Sequence, residues 1–281
     1  FVLTRLRLHS DLRVGPGLRV YVEGLSALAT ERDLPGGRRP LDEDSADLLN
    51  AFGDVSAVVG GLDLTLRAGR QELSYGKQRL ISPLDWANTR RTFDGVRLLS
   101  QAGDWKVDAF ATRFVQVQPH DFNDGDSGRD FYGLYATRPV QPWKATVDAY
   151  VLGLEREAAK FGAVTGDEER YTLGARVGGA CAAGVDYDLE GGYQLGEVGA
   201  ADVTASFIAS QVGFSVPGCP LKSRWFVGYD WASGDDDPAD NDVGTFNQLF
   251  PLGHAYFGGI DVVGRQNISA LSLGVSLVPL D

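Results

Sequence analysis

The chain has 281 residues, 43% hydrophobic and 23% charged, with 36 Gly, 12 Pro, 2 Cys, no Met and a formal net charge of −12. No run approaches the roughly 18 to 20 apolar residues that a membrane-crossing helix needs, which excludes a helical membrane protein. The acidic balance, with no basic helix or aromatic stacking motif, argues against a nucleic-acid partner, whose phosphates require a clustered basic face. A chain that starts at Phe1 with no Met and no basic-then-apolar signal reads as one whose N-terminus has been processed or is missing.

Period-two alternation runs from end to end. Val2, Thr4, Leu6, Leu8, Leu12 and Val14 fall on one face and Arg5, Arg7, His9, Asp11 and Arg13 on the other. Leu18, Val20 and Val22 alternate with Arg19, Tyr21 and Glu23, and Leu62, Leu64 and Leu66 with Asp63, Thr65 and Arg67. The pattern returns at Trp105 to Thr112, at Trp143 to Ala149, at Val185 to Glu190 and at Arg224 to Trp231. About 13 strands are predicted, starting near residues 2, 17, 48, 61, 93, 104, 129, 142, 169, 183, 201, 222 and 267.

A soluble sandwich alternates as well, so connection length has to separate the two all-β architectures. Odd-to-even connections are tight, as at Gly15-Pro16-Gly17, Gly60-Gly61, Ala102-Gly103-Asp104 and Pro139-Val140-Gln141-Pro142. Even-to-odd connections are mostly long and acidic, over 31–47, 71–92, 116–128, 154–168 and 233–266, with 196–200 the exception. Short turns at one end and long loops at the other are expected of an antiparallel transmembrane β-barrel in the bacterial outer membrane, with lipid and lipopolysaccharide as its surroundings. Trp105 and Trp143 beside tight turns, and Tyr229 and Trp231 towards the other end, fit interfacial girdles.

A barrel of more than about 12 strands is too wide for side chains to fill, so charge at inward positions is expected. Single-chain bacterial barrels have an even strand number. Residues 1–281 therefore read as one barrel domain of 14 to 18 strands in full, lacking strands after Val278-Pro279-Leu280-Asp281 and with the N-terminus a second place for missing ones.

Three blocks carry a family resemblance. Gly69-Arg70-Gln71-Glu72-Leu73, Tyr75-Gly76, Arg79-Leu80 and Arg91 with Phe93-Asp94-Gly95-Val96-Arg97-Leu98 form the first; residues 104–112 form the second; Gly244 to Pro251 with Ala255 to Gly258 form the third. Together they resemble the alginate export family of outer-membrane barrels. The resemblance implies about 18 strands, a basic lumen that passes an anionic polysaccharide, and loops that fold over or into the pore. It suggests that the 71–92 segment folds inward, with Lys77, Arg79, Arg90 and Arg91 narrowing the lumen and Trp86 packing it; the competing reading is a solvated extracellular loop.

Inward parity gives a basic set of Arg5, Arg7, Arg13, Arg19, Arg67, Arg97, Lys106, Lys144, Arg176 and Arg224, to which Arg70 adds at the strand end. The acidic set is Asp11, Glu23, Asp63, Asp108, Asp148, Asp186, Asp188, Glu190 and Asp230. The first five strands contribute mostly Arg, and the tenth contributes Asp186, Asp188 and Glu190. Unit charges about 10 Å apart interact by roughly 0.4 kcal/mol in water and about 1.7 kcal/mol at an effective dielectric of 20, enough for aligned arginines to attract an anion without trapping it. The alternative is a set of compensated pairs across neighbouring strands.

Two further sites are expectations. Asp235, Asp236, Asp237, Asp240 and Asp242 supply carboxylates for Ca²⁺ or for divalent bridges to lipopolysaccharide phosphate, or are simply solvated. Cys181 and Cys219, in two short turns on one face and in an oxidising compartment, are candidates for a disulfide. They and the three His have no zinc-like spacing. No Gly-x-Ser-x-Gly elbow, phosphate loop or His-Glu-x-x-His occurs, so the chain is read as a passive channel for anionic sugars or polysaccharide and not as an enzyme. The rivals are a small-solute uptake porin and a structural barrel within a larger envelope assembly, each with periplasmic or envelope proteins as partners.

Overall fold

The computed structural model describes residues 1–31, 39–141, 144–181, 183–237, 240–259 and 262–278. The chain is almost entirely antiparallel strand. In order these are β1 (Val2–Val14), β2 (Leu18–Thr30), β3 (Asp44–Val59), β4 (Leu62–Gln71), β5 (Phe93–Ala102), β6 (Trp105–Gln116) and β7 (Asp124–Val140). They are followed by β8 (Ala145–Phe161), β9 (Val164–Ala180), β10 (Val185–Val198), β11 (Ala201–Ser215), β12 (Arg224–Ala232), the two-residue β13 (Asp242–Val243), a one-turn helix α1 (His254–Phe257) and β14 (Ile268–Ser276). Neighbours in sequence are neighbours in the sheet, from β1 through β12 to β14, while β13 pairs in parallel with β11 at Asp202 and Val203.

Alternation explains these strands, but with the polarity of a soluble protein reversed. On β1 and β2, Leu6, Leu8, Leu12, Leu18, Val20 and Val22 are exposed, whereas Glu23 is buried. The same holds at β10 to β14, where Leu189, Leu195, Val212, Trp225, Val227, Leu271 and Leu273 are exposed and Asp188 and Glu190 are buried. A sheet in lipid keeps its apolar side chains outside and its charge on the covered face. Among the described residues no helix is long and apolar enough to cross a membrane.

Two connections differ from the sequence expectation. The stretch 154–168 is not a loop: β8 and β9 run through it and turn at 162–163. Arg156 pairs with Glu168 and Phe161 with Val164 across the ladder, after a register shift between Arg156 and Ala159. Backbone pairing continues beyond the apolar belt, where charged side chains on both faces erase the alternation that marks a strand. The 116–128 connection likewise shrinks to 117–123 because β7 starts at Asp124. Trp143, the end of the fourth tight turn at Pro142, and the last three residues lie outside the described residues.

Two compact units share the chain. One comprises 1–102, 107–133 and 249–261; the other comprises 103–106, 134–248 and 262–281. In the first, Phe93, Phe110, Phe114, Phe131 and Phe250 form an aromatic core, with Phe250 4.9 Å from Phe131 and 5.0 Å from Phe93, both edge-to-face. Gly69 and Gly95 face each other in register at φ 125° and 155°. A Cβ on Gly69 would lie 2.9 Å from Phe52 Cα on β3 and one on Gly95 2.7 Å from Thr112 Cα on β6, so each position admits the strand on its other side only without a side chain. In the second unit Ala159, Phe161, Val198, Ala201, Val203 and Val243 form the apolar cluster, and β13 is held to β11 through it.

Candidate substrate pathway

The charged face of the first unit is a chain of guanidinium–carboxylate contacts. Arg7 Nε donates to Glu23 at 2.7 Å, and Asn50 reaches the other Glu23 oxygen at 2.9 Å. Asp11 takes both Arg13 and Arg19; Arg19 also approaches Asp54 at 3.5 Å, and Arg67 grips Asp54 with two bonds of 2.8 and 3.0 Å. Arg67 lies opposite Arg97 in register. Like charges directly opposed are unfavourable, and each is drawn aside by its own carboxylate, Asp54 for Arg67 and Asp108 for Arg97. Arg70 is fixed by both Asp94 oxygens, by Asp47 and by the Asn123 carbonyl. The expected basic residues are thus brought together, but as compensated ladders, and Asp47, Asp54 and Asp94 were missing from the expected acidic set.

The pairs differ in which partner meets water. At Arg7, Arg19 and Arg67 it is the guanidinium: side-chain exposure is 34% for Arg7 against 3% for Glu23, and 27% for Arg19 and 18% for Arg67 against 6% for Asp54, whereas Arg70 is covered by Asp94 and Arg19 and Asp11 are exposed alike. In the second unit the carboxylate stands outermost at Arg224 and Arg176, and the guanidinium at Arg156. Asp186 is 34% exposed against 26% for Arg224, and Asp188 13% against 8% for Arg176, whose Nη1 holds Asp148 at 2.7 Å. Glu190 is buried and accepts the Tyr150 hydroxyl at 3.1 Å. Lys106 and Lys144 sit exposed beside tight turns rather than on the covered face, and Asp63 is exposed too.

The 72–92 segment is not a solvated loop. Leu73, Ile81, Ser82, Ala87 and Thr89 are fully buried. Arg5 Nη1 donates to the Ala87 carbonyl at 2.8 Å, and Asn88 Nδ2 donates to the carbonyls of Thr4, Leu28 and Asp42, which pins the segment to the charged face of β1 and β2. Residues 250–256 strap it. Ile81 bridges Phe250, Phe250 N–H donates to Leu80 O and Leu252 N–H to Gln78 O at 2.9 Å each, and the Tyr256 hydroxyl donates to the Lys77 carbonyl. Arg79 is buried against the Tyr256 ring, Lys77 is exposed, and Arg90 pairs with Glu72 and Asp85. Trp86 does not pack a bore: it is 36% exposed and stacks on His254 with centroids 4.4 Å apart. Burial pushes the Tyr75 phenol up.

A second set of residues went unforeseen. Arg170 and Glu168 are fully buried and joined at 2.6 Å; Arg156 reaches the other Glu168 oxygen at 2.8 Å. Gln194 accepts from Arg170 at 2.9 Å and from Asn247 N–H at 2.8 Å, and Asn247 Nδ2 donates to Glu168 at 3.1 Å. Arg265, also fully buried, holds Asp230 at 2.8 Å while its N–H donates to Gln248. The Gly244 to Pro251 block was the available signal: its polar residues fasten the 233–267 connection to β9 and β10.

Among the described residues no three His, Cys, Asp or Glu side chains converge, and Asp235, Asp236, Asp237, Asp240 and Asp242 are not gathered as ligands. Asp240 instead accepts the Asp242 N–H at 2.9 Å and donates its own N–H to the Asp237 carbonyl at 3.1 Å, as turn-forming carboxylates do. The disulfide also fails. Cys181 and Cys219 are free, in the β9–β10 and β11–β12 turns, two strand spacings or about 10 Å apart, beyond the roughly 7 Å Cα separation a bridge tolerates. Hydrogen bonding from Ser223 lowers the Cys219 thiol pKa. Protein isolated without reductant is expected to take up two maleimides per chain by mass spectrometry; uptake of none would mean the turns do meet.

Apolar side chains turned outward, charge on the covered face and mostly long connections at one end define a β-barrel channel of the bacterial outer membrane. The chain belongs to the alginate export family, whose description it matches over residues 1–281. No curated relative matches it in sequence. Among solved structures it is similar to the outer-membrane protein OmpT of Vibrio cholerae, at 11% identity and TM-score 0.41 over 85% of this chain and 84% of that one. It is also similar to OccD3 (OpdP) of Pseudomonas aeruginosa, at 14%, 0.42, 88% and 70%, and to OpdK of the same organism, at 10%, 0.46, 86% and 79%.

Proposed function

We propose that this channel passes anionic saccharides, uronate polymers included, by passive diffusion along the guanidinium-faced strands β1 to β4. The observation that carries the reading is the exposure asymmetry: Arg7, Arg19 and Arg67 lie between water and the carboxylates that hold them. An anion approaching that face meets N–H donors first. The buried carboxylates behind reduce the net attraction, and conduction requires attraction weak enough to release. Membership of the alginate export family supports a uronate as the substrate. Asp186 and Asp188 in front of their arginines on β10 give a polyanion a face to avoid. A second reading, small-solute uptake, is favoured by one observation, the burial of the 72–92 segment against β1 and β2.

Single-channel recording in planar bilayers tests the proposal. Replacing Arg67 and Arg97 by Ala removes the partner of Asp108 and leaves Asp54 with Arg19 alone. The anion/cation permeability ratio is expected to fall about threefold or more for each charge, from roughly 1.7 kcal/mol at 10 Å before salt screening. Block by oligouronates should weaken in parallel. An unchanged ratio, or wild-type protein indifferent to oligouronates, would sink the polyanion reading and leave the small-solute channel.

A further inference from the structure

Most cations of the first unit lean on carboxylates, but Arg91 does not. Its Nη1 donates to the carbonyls of Ser82, Phe250 and Pro251 at 3.0, 2.5 and 3.3 Å, and its guanidinium lies 5.5 Å from the Phe250 ring centre. Burial, and then the neighbouring Arg129, push its pKa down to about 10, which leaves it charged at neutral pH. Arg129 lies 5.0 Å over the Phe114 ring, with Asp126 3.7 Å away.

A cavity of about 260 Å³ opens beside these two guanidinium groups. Leu41, Leu84, Phe114 and Val115 supply apolar wall, and among the described residues no Asp or Glu lines it. Arg90, a third cation on its rim, is taken by Glu72 and Asp85. Two cations facing one space without an acid between them repel, and an anion there would relieve both. Beyond the guanidinium groups and Gln116 the wall offers few partners for hydroxyl groups: Thr89 spends its own on the Pro40 carbonyl at 2.8 Å. A pyranose ring would bury its hydroxyls there unsatisfied, which is costly, whereas an apolar ring would not. The volume lies below the roughly 300 Å³ at which drug-sized pockets begin, so the guest is one ring or less.

We propose that this cavity is a binding site for a small carboxylate with an apolar body, such as a one-ring aromatic acid, its carboxylate held by Arg91 and Arg129 and its ring lodged against Leu41, Leu84 and Phe114. The site is separate from the ladder of β1 to β4, so it stands or falls without the polyanion pathway.

Calorimetry on the folded protein in detergent tests it with benzoate, the neutral isostere benzamide, and glucuronate. Benzoate is expected to bind saturably, with benzamide and glucuronate each at least tenfold weaker. Arg129→Gln should weaken benzoate at least tenfold. Leu41→Trp, which fills the cavity from a loop and removes no charge, should abolish benzoate binding in protein that keeps its heat-modifiable gel mobility. Equal binding of benzamide and benzoate would remove the guanidinium pair from the argument. Tighter glucuronate would make the cavity a saccharide site, and no saturable binding of benzoate by folded wild type would end the proposal.

Discussion

Glu168→Gln is expected to destabilise the protein by about 3 to 5 kcal/mol, the cost of removing one partner from a buried ionic network. Glu168 is shared: one oxygen serves Arg170 and Asn247, the other Arg156. Its neutral isostere leaves two guanidinium groups with no anion and turns an amide N–H₂ towards one of them. Arg170→Met should cost less, because Arg156 still neutralises Glu168 and the methionine stem still packs on Phe161, 4.8 Å from the present guanidinium carbon. The order of the two effects, read from urea midpoints in detergent, is the check. Equal and small losses would mean that water compensates the site. The same network fastens Thr245 and Asn247 to Arg170 and Gln194, so protease nicking within the 233–267 connection should rise in the Glu168 variant first.

Phe250→Ala is expected to cost a similar 3 to 5 kcal/mol, about the value for emptying an aromatic position in a packed core. The ring touches Phe93, Phe114 and Phe131, with centroids 5.0, 5.6 and 4.9 Å away. Its main chain also joins the strap, through the Leu80 carbonyl, the Ser82 N–H and Arg91. Truncation removes the core of the cluster while leaving those bonds to hold an unsupported segment. Hydrogen exchange should therefore speed up across 72–92 as well as at 249–252, and channel current should become noisier. Loss of stability without faster exchange at 72–92 would show that the strap holds by its hydrogen bonds alone.

The strands and their polarity were legible because one apolar face in lipid leaves a period-two trace in the residues themselves, as at Leu18 to Glu23. The tight turns announced themselves through Gly15-Pro16-Gly17 and Gly60-Gly61. The trace vanished at Glu155 to Glu168, where a strand beyond the apolar belt carries charge on both faces, and Arg170 and Glu168 were lost with it. Parity picked out Arg7, Arg19, Arg67, Arg97, Arg176 and Arg224, each of which is joined to a carboxylate. It was blind to which carboxylate each would take, because partners such as Asp54 and Asp94 lie on neighbouring strands whose register depends on bulges and turns.

Sequence by itself therefore determined the outward apolar face, the family and every strand but the two-residue β13, since these rest on local periodicity and on contiguous motifs. Only the tertiary structure decided that Arg7, Arg19 and Arg67 stand in front of the carboxylates of Glu23 and Asp54 while Arg176 and Arg224 stand behind Asp188 and Asp186, that residues 72–92 are strapped by residues 250–256, and that Arg91 and Arg129 line one cavity with no acid among its described lining residues. Charge balance, burial and segment docking are sums over residues tens to hundreds of positions apart, and no window along the chain contains both terms.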